Sequence, residues 1–209
     1  MMEHRAIAVG LAVLLVVSGC ATTTESPTTS VDESTTTYPD PVYEQDYTKP
    51  EKPATKSEYG AGLNVTRIEQ LVGQKINQHR EANNLSRLHY DPKVGNIARY
   101  HSWEMEEHGY FAHESAVDGD DHNNWLRQYN YSSPGLDAEN IASTVVDDWR
   151  MERNDTGAYL AKEIFTLWKT SESHNEAMLG PYAIQGVGVY IGEDGTLYAT
   201  LFLLSNEPA

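Results

Sequence analysis

Cysteine occurs once in this 209-residue chain, at Cys20, and that count limits what the chain can build. A single copy can form neither a disulfide nor a CxxC metal site, so any folded domain must rest on its apolar core. The surroundings of that cysteine carry information too. Met1 to Arg5 ends on a basic residue, Ala6 to Val17 is an unbroken apolar run, and small residues close it at Val17-Ser18-Gly19-Cys20. Basic, apolar and small-residue regions in that order are the layout of a signal peptide. The apolar run falls short of the roughly 20 residues that cross a bilayer comfortably.

Small residues before a cysteine resemble a lipobox, in which cleavage makes the cysteine the new N-terminus and its thiol carries a membrane-holding lipid. Residues 1–19 are then a leader, Cys20 the lipidated residue, and the extracellular face of the cell membrane the location. An ordinary secretory peptide with an incidental cysteine and an uncleaved short anchor are the alternatives. No twin-arginine pair precedes the run, so the general secretory route applies.

Residues 20–60 read as a disordered stalk. Ala21 to Glu58 is Thr, Ser, Pro, Tyr and acid with almost no aliphatics, a composition that cannot bury a core. Pro39, Pro41, Pro50 and Pro53 bias it toward extended spacer conformations. Asn64, Asn84, Asn130 and Asn154 begin Asn-X-Ser/Thr sequons, the acceptor motif of an exported surface. The rest of the chain, residues 61–209, is long enough for one domain with a sizeable core.

Charge narrows the partners. The chain has 31 acidic and 15 basic residues, and residues 62–209 alone hold 22 and 11. Phosphate backbones are repelled by such a surface, which argues against nucleic acid. The acids are scattered rather than run together, which reads as a halophilic surface holding water and cations in high salt; ordinary colloidal solubility is the alternative.

Periodicity outlines the domain. Ile68, Leu71, Val72, Ile76 and His79 share one helical face. Asp91 caps and Pro92 opens a second helix with Val94, Ile97, Ala98, His101 and Met105 inward, stopping at Gly109. A loop, Tyr110 to Gly119, leads to a short helix, His122 to Tyr129. Glu139 to Val146 reads as a strand, and Gly157 to Thr170 as a helix with Tyr159, Leu160, Ile164, Leu167 and Trp168 inward. Ile184 to Ile191 and Leu197 to Leu204 form a hairpin about Gly192-Glu193-Asp194-Gly195. Helices followed by an antiparallel hairpin give an α+β, layered αβα domain. His101 is expected in the core and His108 in solvent. Trp103, Trp125 and Trp149 are packing residues, with Trp125 beside His122 an alternative cleft-rim residue.

Histidine and carboxylate are the chemistry-bearing residues in number. GxSxG, GxxxxGK[ST] and HExxH are absent: His113-Glu114 begins like the last, but position 117 is valine. His79-Arg80-Glu81 resembles the start of a zinc deaminase motif, yet the cysteine pair that motif needs is missing.

Six blocks resemble the CAP superfamily (cysteine-rich secretory proteins, antigen 5 and pathogenesis-related 1), especially prokaryotic SCP-domain proteins without disulfides. They are Ile76-Asn77-Gln78-His79-Arg80 with Asn84-Leu85; Leu88-His89-Tyr90-Asp91-Pro92-Lys93 leading into Ile97-Ala98-Arg99-Tyr100-His101-Ser102; Tyr110-Phe111-Ala112-His113; Ala138-Glu139-Asn140-Ile141-Ala142; Trp168 with Ser171-Glu172-Ser173-His174; and Gly186-Val187-Gly188-Val189-Tyr190. The resemblance implies a three-layer αβα sandwich around a central antiparallel sheet. It also implies a cleft lined by His113, Glu139, Glu172 and His174. Two imidazoles and two carboxylates suit a divalent metal, zinc above all. At the second histidine the chain reads Glu172-Ser173-His174-Asn175 where relatives often read Gly-His-Arg, and Glu139 has the alternative role of bonding nearby backbone amides.

Three functions follow. One is an extracellular binding module for a metal with a lipid, sterol or peptide. Another is a metal-dependent, peptidase-like hydrolase with Glu139 or Glu172 as base. The third is a structural or adhesive surface protein.

Overall fold

The computed structural model describes residues 63–128, 137–147 and 154–205. The expectations for the leader, Cys20, the stalk, Asn130 and Trp149 lie outside the described residues. Helix α1 (Val65–Ala82) is opened by Asn64, whose Oδ1 accepts from the Arg67 amide at 3.0 Å. Its inner stripe, Ile68, Val72 and Ile76, is fully buried. Asn77 continues inward as a polar staple: its side-chain amide donates to Leu88 O (3.0 Å) and its Oδ1 accepts from Leu88 N (2.7 Å). That pairing leads the chain into β1 (His89–Tyr90), a strand that the sequence pattern did not announce.

Helix α2 (Pro92–Glu107) starts as expected, with Asp91 Oδ1 accepting from Lys93 N and Val94 N and proline in the first turn. It ends at a His108 cap followed by Gly109 at φ 66°, a left-handed conformation that glycine adopts without a Cβ penalty. Helix α3 (His122–Gln128) follows. Strand β2 (Asp137–Val145) begins two residues before the expected Glu139 and ends one before Val146. Helix α4 (Thr156–Thr170) buries Leu160, Ile164 and Trp168. Leu167, expected inward, is 41% exposed: the i, i+4, i+8 stripe that faces α1 is narrow, and Leu167 falls on its flank. A short helix α5 (Glu172–Met178), not anticipated as a helix, precedes the hairpin β3 (Ile184–Ile191) and β4 (Thr196–Leu204).

The sheet order is β1-β3-β4-β2, with β1 parallel to β3 and the other two pairs antiparallel. Side chains of a strand alternate between faces, and β4 shows what each face buries. Leu197, Ala199, Leu201 and Leu203 join the core built with α1 and α4, whereas Phe202 and Leu204 join a second core with Val94, Ile97 and Ala98 of α2 and Trp125 and Leu126 of α3. Two cores on opposite faces of one sheet make the expected three layers. Trp125 is fully buried in the second core, so it packs rather than lining a rim.

The α2 layer sits unusually near the sheet. A Cβ at Gly186 would fall 2.4 Å from the backbone of Val94 and Gly95, and one at Gly188 would fall 1.9 Å from the amide nitrogen of Arg99. The helix therefore rests on the backbone of β3 itself. Above that contact β3 outruns the two-residue β1, and its Val189 amide needs another acceptor. Glu69 of α1 supplies one, with Oε1 2.9 Å from Val189 N and 2.5 Å from Nε of Arg99. The buried Glu69–Arg99 pair thus ties α1 to α2 around the strand. Burial pulls the Arg99 guanidinium down to about 9, which leaves it charged at neutral pH.

Gly188→Ala is expected to destabilise the protein by about 3 kcal/mol, since backbone must move to admit the methyl group. Gly73→Ala, where the new Cβ meets only the Gln185 side chain at 3.5 Å, is expected to be neutral or mildly stabilising. Denaturant unfolding of the two variants checks the contrast; equal midpoints would show that the close approach of α2 to β3 is not real.

Candidate functional site

Strand β2 is the last strand of the sheet, and the candidate site is built on it. Consecutive residues point to opposite faces: Glu139 pairs with Phe202 and Asn140 with Leu201, placing Glu139 on the α2 side and Asn140 on the α4 side. Asn140 Nδ2 donates to the backbone oxygen of His174 at 2.9 Å, fixing α5 and its histidine against the strand. Glu139 reaches the other way. Its Oε1 lies 2.7 Å from Nδ1 of His101 and its Oε2 lies 2.6 Å from Nδ1 of His113.

The carboxylate is deeply buried, with a side chain 1% exposed. Burial alone would raise its pKa, but the hydrogen bonds and charge of His101 and His113 outweigh that and hold it below the usual glutamate value. An ionised carboxylate only accepts, so both imidazoles donate from Nδ1. His101 comes from the inner stripe of α2 and is fully buried. Its ring lies 4.3 Å from the Trp125 ring, and its Nε2 has no hydrogen-bond partner among the described residues. That second ring nitrogen faces the aromatic setting of Trp125.

His113 lies on the loop after α2, and the loop is pinned on both sides of it. Before it, the Tyr110 hydroxyl donates to Glu104 Oε2 at 2.5 Å, a bond that together with burial pushes the phenol upward. After it, Ser115 is buried and its Oγ accepts from Val117 N and Asp118 N. Held there, the His113 side chain remains 57% exposed. The bond to Glu139 raises its pKa, against a smaller lowering by burial. His174 is shifted the other way, first by burial and then by the charge of His113. The charge of His113 thus reaches His174 at the edge of β2.

Of the four residues implied by resemblance, the structure joins His113 directly to Glu139 and sets His174 beside them. Glu172 stands apart: it is exposed in the first turn of α5, with no hydrogen bond to the other three among the described residues. Sequence reasoning assigned His101 to the core and missed its bond to Glu139. A histidine on an apolar helical stripe was the available signal. No group of three or more His, Cys, Asp or Glu side chains among the described residues is gathered as a metal shell. Glu139, expected as a ligand, accepts one hydrogen bond at each oxygen and orients His113. His113 and His174 alone would offer two protein ligands, fewer than the three usual for catalytic zinc.

The cysteine-rich secretory protein (CAP) family model matches residues 74–204, and the chain belongs to that family. With one cysteine, it is a member without an internal disulfide. Its fold is similar to that of an outer surface protein from Borrelia burgdorferi, at 16% identity and a TM-score of 0.57, covering 69% of this chain and 97% of that one. It is also similar to an extracellular SCP-domain protein from Bacillus anthracis, at 24% identity and a TM-score of 0.50, covering 66% of this chain and 40% of that one. The chain thus spans about two fifths of the second protein. No curated protein sequence matches significantly. Relatives in this family are extracellular or secreted proteins.

Proposed function

We propose that this protein is a lipid-anchored, extracellular CAP-domain binding module whose His113–His174 site takes a divalent cation, with zinc the best chemical match, and presents it to a lipid, sterol or peptide ligand. The observation that carries this reading is the Glu139 bond to His113 Nδ1. A carboxylate on one ring nitrogen fixes the tautomer, makes the ring more basic, and leaves Nε2 as the nitrogen for a cation. His101 steadies the second carboxylate oxygen, so Glu139 cannot swing out. A bound zinc ion would supply Lewis acidity toward a ligand oxygen. Binding is put ahead of hydrolysis because Glu139, buried and held ionised by two histidines, is poorly suited to collect a proton as general base.

Zinc titration of the full-length chain by calorimetry tests the site. Binding at one ion per chain is expected, with Glu139→Gln weakening it by about 10–100-fold, His113→Ala and His174→Ala weakening it at least as much, and exposed His108→Ala leaving it unchanged. Affinity is expected to fall as the pH drops through the raised His113 pKa, because the proton that Glu139 favours must leave before the metal binds. Equal binding by wild type and the two histidine variants would sink the assignment.

The anchor rests on Arg5, the apolar run and Val17-Ser18-Gly19-Cys20. Mass spectrometry of the mature chain is expected to find Cys20 as the N-terminus with acyl mass added. An unmodified Cys20, or a mature chain lacking it, removes the lipid anchor from the account.

A further inference from the structure

We propose that the groove between α1 and α4 is a second binding site, one that takes an acidic peptide in extended conformation. The groove encloses about 640 Å³ and shares no lining residue with the edge site. What sets it apart is its charge. Residues 62–209 contain four lysines, Lys75, Lys93, Lys162 and Lys169, and three of these four line this one groove with no carboxylate among the lining residues. On a chain of formal net charge −16, that is a local reversal of sign. Screening limits the reach of the remaining acids to about 8 Å at physiological salt, so a ligand inside the groove meets the lysines first.

The spacing of the charges selects the ligand. Lys162 and Lys169 are seven positions apart on α4, which at 1.5 Å per residue separates them by about 10 Å along the helix. One carboxylate headgroup would have to draw both side chains together to meet them. An extended peptide in the polyproline II conformation has three residues per turn and advances about 3.1 Å per residue, so acidic side chains three positions apart share one face about 9 Å apart and match the pair, while Lys75 faces them from α1. The walls suit a peptide as well. The Thr166 and Thr170 hydroxyls spend their protons on Lys162 O (2.7 Å) and Thr166 O (2.9 Å), which leaves their oxygens to accept from peptide amides.

Two other occupants fit less well. Ala82 and Phe165 are the wholly apolar side chains of the lining, and an acyl tail laid along it would pass the lysine ammonium groups without giving them a partner. A sugar would need a free aromatic face, yet Lys169 Nζ lies 5.8 Å over the Phe165 ring and His79 meets it edge-on at 5.7 Å. The floor is preformed, because His79 Nε2 is bonded to Asn175 Oδ1 at 2.8 Å.

The test is fluorescence anisotropy of a fluorescein-labelled peptide carrying two glutamates three positions apart, titrated with the full-length chain at physiological salt. Lys162→Glu and Lys169→Glu are each expected to weaken binding by about tenfold, while Lys93→Glu, the same change in net charge, leaves it within about twofold. Lys162 and Lys169 are exposed on α4 and Lys93 is half-buried in the first turn of α2, so a thermal melt of each variant verifies that it is folded. Equal losses from Lys93→Glu and Lys169→Glu would reduce the effect to overall charge and overturn the site. So would absence of binding, displacement by a uronate oligosaccharide at lower concentration than the unlabelled peptide, or displacement by a single-headed fatty acid at such a concentration.

Discussion

The absence of side chains at residues 95, 186 and 188 is the constraint on which the rest of this structure depends. It lets α2 lie against the backbone of β3, where a Cβ at position 188 would sit 1.9 Å from the Arg99 nitrogen. From that seat the helix aims its residues with little slack. Arg99 reaches around the strand to Glu69, and the Ser102 hydroxyl donates to Gly188 O at 3.0 Å. His101 is carried to within 2.7 Å of Glu139. With no disulfide to tie layers together, backbone contact and buried polar pairs perform that task here.

The candidate site inherits this rigidity. Isolated in a protein interior, a carboxylate would take up a proton rather than remain charged. Two imidazole donors reverse that preference at Glu139, and in return the carboxylate orients both rings. One of those rings is sealed under Trp125 and the other is more than half exposed. The buried member therefore holds the carboxylate in place, while the exposed member is open to solvent. His174 arrives from the opposite layer, fastened through its backbone to the neighbour of Glu139. An edge strand is the place in a sandwich where side chains from both outer layers can meet, which explains why residues 61 positions apart in sequence share a site.

Much of the fold was legible because its signals were local. Asp91-Pro92 marked the start of α2, Gly109 its end, and the alternation of Leu197 to Leu204 the strand that divides the two cores. Features that depend on partners were hidden. Strand β1 is two residues long and exists through its pairing with β3, so it leaves no period to read. Leu167 carries the hydropathy of a core residue but lies beside the narrow stripe that α1 covers. At the site, motif resemblance singled out His113, Glu139 and His174, whereas Glu172 is set apart in an α5 helix too short to have shown a pattern. His101 was read correctly as buried; that it is buried in order to hold a carboxylate is a tertiary fact, carried by 38 intervening positions.

The central claim is that one ionised Glu139 accepts from Nδ1–H of both His101 and His113. The most direct measurement is a long-range proton–nitrogen NMR correlation of the imidazole rings in the full-length, isotope-labelled chain, in mildly alkaline solution. The account predicts a proton on Nδ1 of both histidines, each downfield and slowly exchanging, with a shift that moves in Glu139→Gln. An Nε2–H tautomer at either histidine, or shifts indifferent to that substitution, would contradict it.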